Sequence, residues 1–166
     1  MIEFSSMNVG STVLLVALTS CASTSPAAEQ TLRIQGFVYA AIPCVINKNE
    51  PITQTFGDVQ TTSIDGHYKT ITLEYSLDCT RSLTYDLRMQ VRGSDAGFDS
   101  TLLRVPGYEN IGIALKKDGV PLAVNTWANF DSQKLPSLQA VLVKRKNSDV
   151  KSGPFRAGAT LVVDYQ

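Results

Sequence analysis

An all-β sandwich is the fold class this sequence predicts. Residues 70–79 and 85–92 alternate apolar with polar side chains, and a period of two marks a strand with one face inward and the other outward. Between such runs lie turn-forming clusters, among them Val105-Pro106-Gly107-Tyr108 and Lys117-Asp118-Gly119. No stretch carries a convincing amphipathic helix, so many short strands must pack their inward faces on one another, which is sandwich architecture. At 166 residues the length is that of one ordinary domain, and 43% hydrophobic against 18% charged residues is apolar enough to bury a core. No linker or internal repeat divides it.

The first 28 residues stand apart. They hold no Lys or Arg, and their only charge is Glu3. Val13-Leu14-Leu15-Val16-Ala17-Leu18 is an apolar run of secretory length, far short of the roughly 20 residues that span a bilayer. Residues 1–28 are therefore read as an export signal, with cleavage after Ala22, Ala27 or Ala28 and with Met7 as an alternative start; the competing reading is a buried N-terminal helix. Leu18-Thr19-Ser20-Cys21 also has the form of a bacterial lipoprotein box, which would anchor the mature chain to a membrane through Cys21. Without residues 1–28 the chain keeps its 15 basic residues and loses one of its 15 acidic ones, so it is close to neutral and lacks the basic surplus of a nucleic-acid binder.

The strands then follow in order. In segment 31–38, Leu32, Ile34, Gly36 and Val38 share one face, and an inward glycine weakens a strand unless something must approach closely there. Residues 53–59 form a weaker candidate. Next, Ile71, Leu73, Tyr75, Leu77 and Cys79 oppose Thr70, Thr72, Glu74, Ser76 and Asp78. Tyr85, Leu87, Met89 and Val91 likewise oppose Asp86, Arg88, Gln90 and Arg92. Further strands are expected at 111–117, 120–124 and 138–144. The last, 155–166, puts Ala159, Leu161, Val163 and Tyr165 on one face and alternates up to Gln166.

Cys44 and Cys79 are the cysteines left after the signal. In an exported chain an even pair reads as a disulfide, which would stabilise the fold by about 3 to 4 kcal/mol on the chain-entropy model; in a cytosolic chain they would be buried free thiols. The lone histidine, His67, rules out a multi-histidine metal site and lies in the turn Asp65-Gly66-His67-Tyr68. Asp95 and Asp99 surround a Gly-Phe turn, which they are expected to cap rather than form a catalytic pair. Lys144-Arg145-Lys146 reads as a solvated strand end. Trp127, near Phe130, reads as packing, with a stacked sugar as its functional alternative. No glycine-rich phosphate loop is present. No catalytic or metal-binding residue is assigned, and no enzyme activity, cofactor or small-molecule substrate is expected.

From residue 29 onward the order and spacing of these features resemble the subunits of chaperone-usher pili, especially the minor, adaptor-type subunits of type 1-like and P-like pili. The resemblance rests on the alternating N-terminal segment with Gly36, then Pro43-Cys44, Phe56-Gly57-Asp58, and Leu77-Asp78-Cys79. Ile111-Gly112-Ile113-Ala114-Leu115, Gly153 and penultimate Tyr165 complete it.

The resemblance implies an incomplete immunoglobulin-like sandwich that lacks its last strand and is completed by a donor strand from a chaperone or a neighbouring subunit. It divides the chain into a signal peptide (1–28), a donor-strand extension (29–39) and a pilin domain (40–166), without the lectin domain of a tip adhesin. Leu32, Ile34, Gly36 and Val38 would be the donor positions. Gly153, Ala159, Leu161, Val163, Tyr165 and Gln166 would border the acceptor groove and meet the chaperone, which would hold the terminal carboxylate. Cys44 and Cys79 would join the first two strands. The implied partners are a periplasmic chaperone, an outer-membrane usher and neighbouring subunits, and the implied route runs through the periplasm to an extracellular fimbrium that supports cell adhesion. A self-contained β-sandwich lipoprotein and a small glycan-binding subunit are the alternatives.

Overall fold

The structure, a computed structural model, describes residues 30–36, 38 and 44–166. The signal segment 1–28 with Cys21, and Pro43 of the pilin pattern, lie outside the described residues. The chain divides into two units, Met1–Val38 and Tyr39–Gln166. In the first, the described residues carry no strand, and Leu32, Ile34 and Val38 are exposed. The fold below is that of the second.

Its described residues form eleven strands: β1 (Val45–Ile46), β2 (Ile71–Leu73), β3 (Leu77–Asp78), β4 (Asp86–Arg92), β5 (Asp95–Ala96), β6 (Asp99–Arg104), β7 (Ile111–Lys117), β8 (Val120–Leu122), β9 (Ala128–Asp131), β10 (Leu138–Lys144) and β11 (Thr160–Tyr165). They build one sheet in the order β2-β10-β7-β6-β5, with β8 hydrogen-bonded to β7, and a second in the order β11-β4-β9; β1 and β3 pair separately. All pairings are antiparallel. The inward residues of β4 (Leu87, Met89, Val91) pack in one core with those of β7 (Ile111, Ile113, Leu115) and β10 (Leu138, Ala140, Leu142). This all-β sandwich is the expected fold class.

Several elements follow from local chemistry. Asp118 and Gly119 both take positive φ between the paired Lys117 and Val120, the two-residue turn that Asp-Gly favours because it matches strand twist. Asp118 then ties this hairpin to the loop before β10: its N–H donates to the Ser137 carbonyl at 2.8 Å, and its carboxylate accepts from the Ser137 N–H at 2.9 Å. The Asp99 carboxylate accepts from the Thr101 N–H and hydroxyl, so it fixes the first residues of β6 rather than capping the Gly97-Phe98 turn that precedes it. Cys44 and Cys79 form the disulfide, joining the start of β1 to the end of β3.

The structure departs from the sequence reading in several places. The alternation at 70–79 holds, since Ile71, Leu73, Tyr75, Leu77 and Cys79 all pack against the core, but the strand is broken. Its first half pairs with β10 and its second with β1. The crossing is held by the Asn47 N–H on the Ser76 carbonyl at 2.7 Å and by the Tyr75 hydroxyl on the Pro136 carbonyl at 2.6 Å. Tyr85 is exposed instead of inward, because β4 begins one residue later and the Tyr85 carbonyl accepts from Ser132 in a loop. Residues 53–59 are not a strand; Phe56 and Val59 reach the core without a ladder partner. Strand β11 is shorter than 155–166, starting at Thr160.

Two outcomes test this description. A Cβ on Gly112 would stand 3.0 Å from Leu102 Cβ and 3.1 Å from Ala96 Cβ, atoms fixed to neighbouring strands, so Gly112→Ala should destabilise by about 1–3 kcal/mol in urea unfolding. The Asp118 carboxyl is held below its ordinary value of 3.8 by Lys117 and by the Ser137 N–H. A carboxyl lowered by folding contributes stability above its unfolded value and loses it as pH falls through the folded one. The melting temperature should therefore drop below about pH 4, and Asp118→Asn should shrink that drop.

Candidate functional site

An open apolar cleft of about 1450 Å³ runs between the two sheets. Its floor is made by the inward residues of the core strands, including Ile71, Leu73, Val91, Ile113 and Leu142. None of these floor residues can titrate. One wall is the approach to and start of β11, with Ala159 and Leu161; the other is segment 49–59, leaving β1. Both walls are unusual in the same way. Strand β11 pairs with β4 along six residues, Thr160 opposite Arg92 to Tyr165 opposite Leu87, and is the outer strand of its sheet, so its other edge is unpaired among the described residues. Segment 50–59 has no sheet partner among the described residues.

The chain sets these walls through local chemistry. Asn47, Lys48 and Asn49 all have positive φ, the left-handed region that asparagine tolerates better than most residues. The Asn47 side-chain amide donates to the Glu50 carbonyl at 3.0 Å and to that of Pro51 at 3.3 Å. This turn directs the chain out of β1 and along the cleft. The walls approach each other through Phe56 and Phe155, with ring centroids 6.0 Å apart, and Tyr108 meets Phe155 edge-on at 6.4 Å. Gly153 is required here, since its φ is +149° and a Cβ would lie 3.0 Å from the Tyr108 hydroxyl.

The residues expected from the sequence are brought together in part. Gly153, Ala159 and Leu161 line the cleft. Val163 and Tyr165 continue the same face but pack into the core, where the Tyr165 hydroxyl is buried without a hydrogen-bond partner. The Gln166 side-chain amide donates to the Leu87 carbonyl at 3.2 Å. Of the donor positions, Leu32, Ile34 and Val38 are exposed, and Gly36 has open space around it. Sequence reasoning missed the contribution of the wall 49–59 as irregular chain and that of Leu103 from β6. The apolar Phe56 and Val59 were the available signal.

Elsewhere the side chains are in structural roles. The Arg88 guanidinium sits 4.6 Å from the Trp127 ring centre and 3.1 Å from the Asp164 carboxylate, and Arg92 lies 5.8 Å from the same ring. Trp127 is thus engaged by the sheet it covers. The Asp65 carboxylate accepts from the backbone N–H groups of His67 and Tyr68, which fixes His67 as an exposed turn residue. Among the described residues no group of three His, Cys, Asp or Glu side chains is placed to hold a metal ion.

The comparisons agree with this geometry. The fimbrial protein family model matches residues 29–166. The chain is 30% identical to the uncharacterized fimbrial-like protein YfcR of Escherichia coli (strain K12) over 162 residues, 95% of this chain and 94% of that protein. In structure it is similar to the P pilus rod subunit PapA, with a TM-score of 0.63 at 18% identity over 75% of this chain and 99% of that one. It is also similar to the P pilus adaptor subunit PapF, with a TM-score of 0.54 at 22% identity over 75% and 96%. At these identities the structural likeness establishes the fold, that of the immunoglobulin-like pilins, and the family match establishes descent. The chain belongs to the fimbrial protein family and is a structural subunit of a fimbrium.

Proposed function

We propose that the chain is a linking subunit of a chaperone-usher pilus, which accepts a strand from one neighbour and donates a strand to another. The observation that carries this reading is the apolar cleft beside the unpaired edge of β11. Such an edge offers a row of main-chain donors and acceptors, and an apolar trough next to it would aggregate if left open. A strand laid along β11 satisfies the edge and sets alternate side chains into the trough, the mode known as β-strand addition.

Residues 40–166 act as the acceptor and residues 29–39 as the donor. Gly153, Ala159, Leu161, Val163, Tyr165 and Gln166 form the acceptor border, and Leu32, Ile34 and Val38 are the inserted side chains, with Gly36 where the fit is tightest. A donor of eight residues spans about 26 Å, longer than the six residues of β11 and enough to run the length of the cleft. After export directed by residues 1–28, a periplasmic chaperone lends the strand first and binds the terminal carboxylate of Gln166. An outer-membrane usher then exchanges it for a neighbour's extension, and the subunit becomes part of an extracellular fibre that supports adhesion. The role is structural rather than catalytic.

Two measurements test the reading. Residues 40–166, oxidised, should unfold at low temperature or aggregate alone. A matching donor peptide, from residues 29–41 or from a panel of pilin extensions, should raise the melting temperature by about 10 °C at a hundredfold excess over its Kd, from roughly 2.7 kcal/mol of linkage. A cooperative, high-melting domain indifferent to every peptide would show a sandwich complete in itself and sink the proposal. In the second, Leu161→Asp within the domain should abolish the peptide effect, because a carboxylate would then face the apolar trough.

A further inference from the structure

Among the described residues of the second unit, the large apolar side chains left exposed are Leu83 (89%), Tyr85 (63%), Val120 (64%) and Leu135 (50%). Leu83 and Tyr85 lie in the loop before β4, Leu135 in the loop between β9 and β10, and Val120 opens β8, yet strand register brings them to one end. Strand β4 starts there at Asp86 opposite Asp131, β7 ends there at Lys117 opposite Leu138, and β11 finishes there at Tyr165 opposite Leu87. The loops are also bonded to each other. Ser132 N–H donates to the Tyr85 carbonyl at 2.9 Å, joining loops 80–85 and 132–137. The paired Asp118–Ser137 bonds then join loop 132–137 to the β7–β8 turn. The result is one continuous end surface with apolar side chains among Lys117, Asp118, Asp131 and Lys134. Scattered exposed apolar residues need no explanation, but their confinement to one end marks an interaction surface.

The same end carries the disulfide, since Cys79 leads directly into loop 80–85 and holds Cys44 beside it. The polypeptide from Val38 to Cys44 can reach at most about 20 Å. Whatever molecule takes up segment 31–38 must therefore stand close to this end. We infer that the end surface formed by Leu83, Tyr85, Val120 and Leu135 docks against the body of the neighbouring subunit that receives this chain's own extension. It is a second contact beside the inserted strand, and it rests on the donor role proposed above. The covalent tether raises the local concentration of that one partner, so even a small apolar contact adds to retention and to choice of neighbour.

The test uses the full chain in cells that assemble it into fibres. A photo-crosslinking amino acid is placed singly at Leu83, at Leu135, at Ile34 as a positive control, and at Lys146 at the opposite end of the sandwich. The inference expects Leu83 and Leu135 to give adducts with the same pilus subunit that Ile34 captures. Those adducts should vanish when the extension carries Gly36→Asp, whereas any Lys146 adduct should be unaffected. Leu83→Asp with Tyr85→Asp should cut the Leu135 adduct several-fold while leaving the melting temperature unchanged, since exposed side chains contribute little to folding. An Ile34 adduct without adducts from Leu83 or Leu135, or adducts of these with a chaperone alone, overturns the docking surface and leaves the donor role standing. Absence of a subunit adduct from Ile34 itself overturns the donor role, and the inference with it.

Discussion

The ladder between β4 and β11 is the interaction on which the rest of the molecule depends. It places Leu161, Val163 and Tyr165 opposite Val91, Met89 and Leu87, so the C-terminal strand presents its apolar face to the same core that β4 fills. A slip of one residue would turn that face outward. On the solvent side, Asp164 meets Arg88, which stacks on Trp127. A solvent-screened ion pair of this kind adds little to stability, so burial of the inward face, rather than this cluster, sets the register. Because β11 is held along one edge only, the edge and the trough beside it remain available.

The walls of that trough are held differently from its floor. The floor is ordinary sandwich core, fixed by ladders between β2, β10 and β7. Segment 50–59 has no ladder and depends on its ends. At one end stand the disulfide and the left-handed turn Asn47–Asn49; further along, Phe56 reaches Phe155. A wall built this way can shift without disturbing the core, since few backbone hydrogen bonds resist it. The opposite wall approaches β11 through Gly153 and Pro154, whose carbonyl accepts from the Tyr108 hydroxyl at 3.3 Å. Thus the two sides that would grip an added strand are tied to the sandwich by a few side chains and one covalent bond.

Much of this was legible in the sequence. Strands with one buried and one exposed face announce themselves by alternation, and β4, β7, β8, β10 and β11 were found that way. The cysteine pair and the Asp-Gly turn carry their chemistry with them. Strands β1, β5, β6 and β9 escape alternation because their stretches are short or keep only part of the pattern: in β6 the adjacent Leu102 and Leu103 are both buried, on opposite faces, and alternation disappears. Tyr85 was placed inward because it continues the β4 pattern by one residue. A loop hydrogen bond, invisible in sequence, starts the strand after it.

The sequence by itself determined the strongly alternating strands β4, β7, β10 and β11, the covalent link and the apolar face of the final strand, because each depends on residues close along the chain or on side-chain type alone. Tertiary structure decided where strand 70–79 breaks to serve two pairings, that segment 53–59 lies along the cleft without pairing, and that four exposed apolar residues meet at one end. Those features depend on which non-local edges find hydrogen-bond partners. That competition is settled only when the sheets have twisted and packed on one another.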